Sequence, residues 1–217
     1  MPQARAAIAN FADSLRHQPE APAELFVVEG DSAANAVCAV RDPQLQAVMP
    51  LQGKPMNALR VSPRRLLTSP WLQGLTQLLG SAPGTALPLG ELRYERVILL
   101  LDPDADGIHA GALLQIFFYH CMRSLLADGR VAIVHAPWGE FQQPGRAPLL
   151  AYSEPEFQTL GRAQTADGKS TGHRIRHRGL GTITPAILGQ TCVDPATRRM
   201  HVLSLADVEH AVRLFGA

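Results

Sequence analysis

The sequence predicts an α/β protein with a central, mainly parallel sheet flanked by helices. Predicted strands and helices alternate along most of the chain, an order typical of right-handed βαβ units. The predicted strands are short and almost wholly apolar, as strands buried on both faces of a sheet should be. A chain of 217 residues is long enough for one such domain with an appended region.

The predicted strands are the part of this fold with the strongest signals. Leu25 to Val28 form an unbroken apolar run that leads directly into Glu29. Further strands are predicted at residues 46–51, 96–101 and 130–135. The third of these four delivers the Asp-rich turn that begins at Asp102.

Helices are predicted between these strands. The first spans about residues 32–40, with Asp31 or Ser32 as its N-cap, because either side chain can accept a hydrogen bond from the first turn. A second is predicted around residues 71–79. The longest is predicted over about 109–127, where apolar residues recur at helical spacing, and another follows Leu205.

The chain divides into four predicted regions. Residues 1–23 form a short lead-in, for which a helix is one option. Residues 24–140 form the α/β domain, and residues 141–174 an irregular insert whose polar stretch 161–172 is predicted to be a mobile loop. Residues 175–217 form a C-terminal tail with regular structure.

Composition excludes several classes of protein. The formal net charge is only +1, so any nucleic-acid contact must come from a local basic patch. Cys38, Cys121 and Cys192 are far apart without metal-ligand spacing, which argues against a disulfide framework or a zinc site and favours a reducing compartment. With no secretory leader and no apolar run of membrane-spanning length, we expect a cytoplasmic, nucleoid-associated protein.

Acidic side chains follow two of the predicted strands. Glu29 ends the first strand, and Asp102, Asp104 and Asp106 follow the third. Ligands bind beyond the carboxyl ends of the strands in an open parallel sheet. If the two strands are neighbours, the carboxylates converge, repel one another and raise one another's pKa values. A hard divalent cation relieves that repulsion, and these oxygen ligands suit Mg²⁺.

Other interpretations of the acidic turn are a simple helix cap and a calcium loop. Asp102, Asp104, Asp106 and Gly107 match the first half of a calcium-binding loop. That loop requires a glutamate at its twelfth position, where this chain has Leu113. The segment also follows a strand rather than a helix, so the calcium interpretation is rejected.

Several motifs carry a resemblance to a known family. Glu29-Gly-Asp-Ser, Pro50-Leu-Gln-Gly-Lys and the Asp-x-Asp-x-Asp-Gly of 102–107 occur in this order. With them the sequence resembles the toprim domain of type IIA DNA topoisomerase B subunits, those of gyrase and topoisomerase IV. The resemblance extends over about residues 24–217, because the segments 113–122, 176–181 and 194–200 are similar to further motifs of these subunits.

The resemblance implies a Rossmann-like toprim core with a magnesium site. Glu29, Asp102 and Asp104 would hold the ion engaged in strand cleavage, and Asp104 with Asp106 would form a second, overlapping position. Glu29 would also serve as a general acid or base. The expected catalytic and DNA-binding set is completed by basic and polar side chains near the scissile phosphate and in the tail: Lys54, Asn57, His109, Arg176 and Arg178.

In this family a tyrosine on a separate subunit or domain attacks the phosphodiester. The resemblance therefore implies DNA and a gyrase A-type, tyrosine-bearing partner, with a separate ATPase subunit as a further candidate, because no ATP site is expected in this chain. Tyr119, on the predicted core helix, is interpreted as packing. Strand passage by this chain alone is not expected.

The sequence departs from the family pattern at several positions. Gln52 and Gly111 stand where arginines are usual, and Cys38 where a lysine is usual. Fewer basic side chains should weaken DNA affinity and its salt dependence. Pro55 and Pro103 follow Lys54 and Asp102 directly, and each fixes its own φ and removes an amide donor.

Three functions remain open on the sequence. The first is a topoisomerase-like toprim module that supports DNA cleavage and religation with its partner. The second is a non-catalytic interaction or regulatory protein derived from a topoisomerase subunit. The third is a magnesium-dependent toprim nuclease, against which the topoisomerase-like tail counts.

Overall fold

A computed structural model describes residues 8–80, 89–166 and 172–215. The main sheet has five strands: β1 (Glu24–Glu29), β2 (Gln46–Leu51), β3 (Arg96–Leu100), β4 (Val131–Val134) and β8 (Met200–Val202). They lie in the order β2-β1-β3-β4-β8. The first four in this order are parallel, and β8 pairs antiparallel with β4. This sheet confirms the predicted α/β class.

Helices cover both faces of this sheet. Those of the α/β domain are α1 (Gly30–Cys38), α2 (Pro63–Leu67), α3 (Pro70–Leu78), α4 (Ala105–Cys121) and α5 (Arg123–Ala127). In the tail lie α7 (Pro185–Leu188) and α8 (Leu205–Phe215). Across the described parts of the chain, no helix has the length and apolar character needed to cross a membrane.

Two helix predictions need correction. The predicted helix over 109–127 is two helices, because the backbone of Met122 leaves the helical region at φ −138° and ψ 44°. The N-cap of α1 is Glu29, not Asp31 or Ser32. The helix begins earlier than predicted because Gly30, with φ +74°, turns the chain at the end of β1 itself, and glycine tolerates that conformation.

A second, smaller sheet follows the main one. Its strands are β5 (Gly139–Gln142), β6 (Leu149–Ala151) and β7 (His173–Arg176), antiparallel in the order β6-β5-β7. Helix α6 (Glu154–Ala166) connects β6 to β7. The prediction of an irregular insert over 141–174 was therefore wrong for the described residues. Strands of three or four residues and a largely exposed helix leave too little periodicity to detect.

The predicted mobile loop over 161–172 is only partly described. Residues 161–166 are the last part of α6. Residues 167–171 lie outside the described residues, and Gly172 precedes β7.

The core has one layer on each face of the main sheet. Leu25 and Val27 of β1 face a cluster that includes residues of α3, α4 and α8. Phe26 and Val28 face a second cluster with α1 and the tail, including Leu180. The tail therefore packs as part of the domain core, and its position relative to α1 and the strand ends is set by that burial.

The lead-in covers one edge of the main sheet. Residues 8–23 contain no helix, so the helical option does not apply to them. Ala12 forms an antiparallel bridge with Val48 of β2, with N–O distances of 3.0 and 2.8 Å in the two directions. Pairing of this kind satisfies the otherwise open hydrogen-bonding groups of an edge strand.

Asp13 anchors the lead-in to the domain. Its carboxylate accepts hydrogen bonds from Tyr94 Oη at 2.6 Å, Arg93 Nη2 at 2.8 Å and His17 Nε2 at 2.9 Å. Burial raises the pKa of Asp13, but these hydrogen bonds outweigh burial and lower the pKa to about 2. The ionised Asp13 therefore stabilises the fold at pH values above the ordinary aspartate pKa. That contribution is lost as the pH falls through the folded-state pKa of about 2.

We expect Asp13→Asn to lower the free energy of unfolding at pH 7 by about 2 kcal/mol, since one pKa unit corresponds to about 1.4 kcal/mol. Urea unfolding followed by circular dichroism measures the difference, which should shrink as the pH is lowered from 5 towards 2. Asp128→Asn is the matched control, because Asp128 pairs with Arg130 at the surface and should change stability by less than about 1 kcal/mol. A difference for Asp13→Asn that does not vary with pH would contradict this account.

Candidate metal centre

Strands β1 and β3 are neighbours, and their register brings their acidic ends together. Val28 of β1 lies beside Leu100 of β3. Glu29 is the last residue of β1, and Asp102 follows β3 by two positions. Both side chains therefore lie at the carboxyl edge of the sheet. Glu29 is partly buried, and its Oε2 is fully enclosed without a hydrogen-bond partner among the described residues.

Asp102 and Asp104 are oriented by backbone amides. The Leu180 amide of the tail donates to Oδ1 of Asp102 at 2.8 Å. Asp104 is the N-cap of α4, and its Oδ1 accepts from the amide of Gly107 at 2.8 Å. A Cβ at position 107 would lie 2.1 Å from the Asp102 carbonyl oxygen. Only glycine therefore allows α4 to start this close to the acidic turn.

The acidic side chains interact electrostatically. Burial raises the pKa of Glu29, and the charges of Asp102, Asp104 and Asp106 raise it further. Burial also raises the pKa of Asp102. The hydrogen bond from the Leu180 amide lowers this pKa, and the charge of Asp104 raises it. Clustered negative charge with an enclosed, unpartnered carboxylate oxygen is the environment that a bound cation would stabilise.

These residues fit a magnesium ion by their chemistry. In the described parts of the chain, no group of three or more His, Cys, Asp or Glu side chains is arranged to hold a metal by itself. Mg²⁺ is usually held by one or two carboxylates and keeps several waters or substrate oxygens in its shell. Glu29, Asp102 and Asp104 offer carboxylate oxygens of this kind at one edge of the sheet.

Lys54 and Asp106 form a pair at the rim of this site. Lys54 Nζ lies 2.9 Å from Asp106 Oδ1, and both side chains are exposed. The hydrogen bond and charge of Lys54 lower the pKa of Asp106, and His109 is near enough to lower it further. Asp106, predicted for a second metal position, is thus paired with a lysine predicted to contact phosphate.

Asn57 and Gln52, which follow β2, make hydrogen bonds within the protein. Asn57 Oδ1 accepts from the amide of Leu59 at 3.0 Å. Gln52, at a position where the family pattern has arginine, donates to Asp31 Oδ1 at 3.0 Å. The loop after β2 is therefore tied to the start of α1, beside Glu29.

The two predicted DNA-binding arginines of the tail differ in their surroundings. Arg176 stacks on Trp138, with its guanidinium carbon 3.4 Å from the ring centroid. It donates to the carbonyl oxygens of Trp138 at 3.0 Å, of Pro103 at 3.3 Å and of His177. Arg178 is exposed. Arg176 thus holds the tail against the acidic turn, and Arg178 presents its charge to solvent.

Sequence reasoning missed the role of the Gly-Leu-Gly segment after Arg178. A Cβ at Gly179 would lie 2.9 Å from Asp102 Oδ2, and one at Gly181 would lie 2.6 Å from Ser32 Oγ. Together with the Leu180 amide, these contacts place the tail against both acidic loops. The paired glycines were the available signal, because glycine permits close backbone approach.

The acidic edge lies within a region that matches a known protein family. Residues 24–136 match the family profile described as "Toprim domain". The chain belongs to the toprim family. The matched toprim region contains Glu29 and the three aspartates of the acidic turn.

Relatives of this toprim chain are B subunits of DNA gyrase. The protein from Thermotoga maritima is 36% identical over 195 residues, covering 88% of this chain and 30% of the relative. The protein from Archaeoglobus fulgidus is 32% identical over 205 residues, covering 94% of this chain and 31% of the relative. The protein from Halalkalibacterium halodurans is 33% identical over 192 residues, covering 88% of this chain and 30% of the relative. The chain thus spans about 30% of the length of these relatives.

Proposed function

We propose that this toprim chain is the metal- and DNA-binding module of a type II topoisomerase-like assembly. It would support DNA cleavage and religation together with a tyrosine-bearing, gyrase A-type partner. The observation that carries this proposal is the enclosed, unpartnered Glu29 oxygen at the same sheet edge as Asp102 and Asp104. The gyrase B relatives support the assignment of DNA and of the partner class.

The chain's own residues would perform two tasks at this edge. Asp102, fixed by the Leu180 amide, and Asp104, fixed as the cap of α4, would hold Mg²⁺ in a set position. Glu29, whose pKa is raised by burial and by the neighbouring aspartates, would give a proton to the leaving oxygen, while the proton of the partner's attacking tyrosine passes to solvent; religation would reverse both transfers. Bound magnesium would supply charge stabilisation at the phosphate and the leaving oxygen.

Basic side chains around the acidic edge would bind the DNA backbone. Lys54 and Arg178 are exposed there, and the net charge of +1 leaves phosphate binding to such local groups. Each phosphate neutralised by a basic side chain adds to affinity through counterion release. We therefore propose DNA binding that is modest and confined to this face.

The attacking tyrosine is proposed to come from the partner. Tyr94 is buried and donates to Asp13, and Tyr119 donates to Glu209 at 3.2 Å. Burial raises the pKa of Tyr152, the opposite of what an activated nucleophile requires. The ATP-dependent steps of an intact topoisomerase would belong to a further subunit.

We expect the purified chain, mixed with a gyrase A-type subunit, Mg²⁺ and supercoiled plasmid, to yield linear or nicked DNA linked to the partner after denaturation. Asp102→Asn combined with Asp104→Asn should reduce this product by about 100-fold or more, in the range lost when groups that act in the transition state are removed. Asp128→Asn is the control, since Asp128 lies in a surface pair away from this edge. Cleavage that survives the double substitution would refute the proposed role.

A non-catalytic regulatory role is the second candidate. It is favoured by the pairing of Lys54 with Asp106 and of Gln52 with Asp31, which occupies groups otherwise directed to phosphate. In that case calorimetric titration with Mg²⁺ would give the same result for the unchanged chain and for the variant with Asp102→Asn and Asp104→Asn, because neither would bind the ion at this edge. The chain would still alter the activity of an intact topoisomerase, and so would the variant.

A further inference from the structure

Acidic residues are absent from one long segment of this chain. From residue 43 to residue 90 the sequence contains no aspartate or glutamate, and its charged residues are Lys54, Arg60, Arg64 and Arg65. The remainder of the chain has 16 of the 20 basic residues and all 19 acidic ones, a balance of −3. The formal net charge of +1 therefore arises from this one segment.

The basic residues of the segment start on the face proposed to bind DNA. Beyond the carboxyl end of β2 the chain passes Lys54, at the rim of the acidic site, and then reaches α2. Ten residues of chain separate Lys54 from Arg64 and can span at most about 35 Å. One helical turn of DNA has about the same length. A duplex that touches Lys54 can therefore reach α2 within a single turn.

Helix α2 presents two adjacent arginines to solvent. Leu66 is buried in the core and anchors the helix, whereas Arg64 and Arg65 are exposed. Neither guanidinium forms an ion pair or a hydrogen bond with the residues that the structure describes. Two neighbouring cations without acidic partners repel each other, and a bound anion would relieve that repulsion.

Other exposed arginines of the chain have acidic partners. Arg123 lies 3.9 Å from Glu209, and Arg130 lies 2.7 Å from Asp128. The arginines of α2 thus differ from these pairs in their surroundings as well as in their position along the chain. Their charge is left for a ligand from outside the protein.

A DNA duplex matches this surface better than a single small anion does. It carries one negative charge per about 1.7 Å of its axis, so several basic groups along the segment can each meet a phosphate. The planar guanidinium of arginine can also hold two phosphate oxygens at once.

We propose that Arg64 and Arg65 bind the phosphate backbone of the duplex that flanks the cleavage site, so that the DNA-binding face continues from Lys54 to α2. This inference rests on the proposed function, which supplies DNA as the ligand. The contacts would not require Mg²⁺, because the two arginines are not part of the acidic site.

The experiment measures binding of the full chain to a fluorescently labelled duplex by anisotropy, in chelator and without the partner subunit. A duplex of about 30 base pairs, about 100 Å long, covers both regions. Arg64→Gln combined with Arg65→Gln should raise the Kd about tenfold or more at about 0.1 M salt. It should also reduce the slope of log K against log salt by about 2. Arg64→Lys with Arg65→Lys keeps both charges and should stay within about threefold of the unchanged chain.

Arg16→Gln combined with Arg123→Gln is the matched control, because it removes the same charge elsewhere. Both residues are exposed. Arg16 precedes β1 and Arg123 precedes β4, so both lie towards the amino ends of the strands, away from the acidic edge. This control should change the Kd by less than about threefold. Circular dichroism verifies the fold of each variant, and glutamine has a helix propensity close to that of arginine.

Four results would overturn the proposal: no duplex binding by the unchanged chain at about 0.05 M salt, unchanged binding by the glutamine pair, an equal loss in the control pair, or an equal loss in the lysine pair. Displacement of the duplex by poly-L-glutamate of equal charge would overturn it as well and would favour an acidic protein partner. Cleavage with the gyrase A-type subunit is assayed separately. Failure of cleavage with the Kd difference intact would remove the proposed function and leave the duplex contact standing.

Discussion

Replacing Arg198 by methionine should lower the free energy of unfolding by about 3–5 kcal/mol, the range measured when one partner of a buried ion pair is removed. The Arg198 side chain is 2% exposed and that of its partner Glu24 is 10% exposed. Arg198 also donates to the carbonyl of Val193 at 3.1 Å, which ties the tail to the start of β1. Without it, the buried carboxylate of Glu24 keeps one side-chain hydrogen-bond partner among the described residues, the Gln46 amide at 3.2 Å. Urea denaturation at pH 7, followed by circular dichroism, measures the loss.

Arg199→Met is the matched control for this prediction. Arg199 is the adjacent residue, is exposed, and contacts the ring of Tyr152, so its loss should change stability by less than about 1 kcal/mol. A double variant, Arg198→Met with Glu24→Met, should recover much of the stability, because an apolar pair leaves no uncompensated charge. If Arg198→Met costs no more than its control, the pair does not hold the tail in place.

Glu29→Gln should produce effects of opposite sign on stability and on activity. DNA cleavage with the partner subunit should fall by about 100-fold or more, since general acid–base groups typically contribute that much. The stability of the metal-free chain should rise, because the ionised Glu29 is buried among aspartate charges that raise its pKa. A raised folded-state pKa means that the ionised group destabilises the fold at neutral pH, and that this penalty is relieved as the pH falls through the folded-state value.

Thermal unfolding in chelator at pH 7 and at pH 5 tests the stability half of this prediction. The advantage of Glu29→Gln over the unchanged chain should be larger at pH 7 than at pH 5. Glu91→Gln serves as the control, because Glu91 is exposed and outside the acidic edge. A variant that is destabilised at pH 7, or that cleaves normally, would show that Glu29 is not the strained carboxylate of the site.

Much of the architecture could be predicted from local pattern. The apolar runs at residues 25–28, 46–51 and 96–101 coincide with β1, β2 and β3, because strands buried on both faces need uninterrupted apolar side chains. The positions of Glu29 and Asp102 at strand ends followed from the same runs. What could not be predicted was the second sheet and α6, whose short and exposed segments carry little periodicity.

The contacts of individual site residues could not be predicted from the sequence either. DNA binding by Arg176 stays a prediction; what the fold adds is that Arg176 stacks on Trp138 and donates to the backbone carbonyl of Pro103, next to Asp102. Lys54 was predicted to lie near the phosphate and Asp106 at a second metal position, and in the fold the two side chains form an ion pair. Both outcomes depend on which residues meet across distant parts of the chain.

The sequence by itself determined the four parallel strands of the main sheet, the acidic turn and the family, because each rests on the order of residues within a short segment. Only the tertiary structure decided that β1 and β3 lie side by side and that the Leu180 amide holds Asp102. These features depend on the packing of the tail and of α4 against the sheet. Such packing is settled by burial of apolar surface over the whole domain, and a local sequence pattern does not contain it.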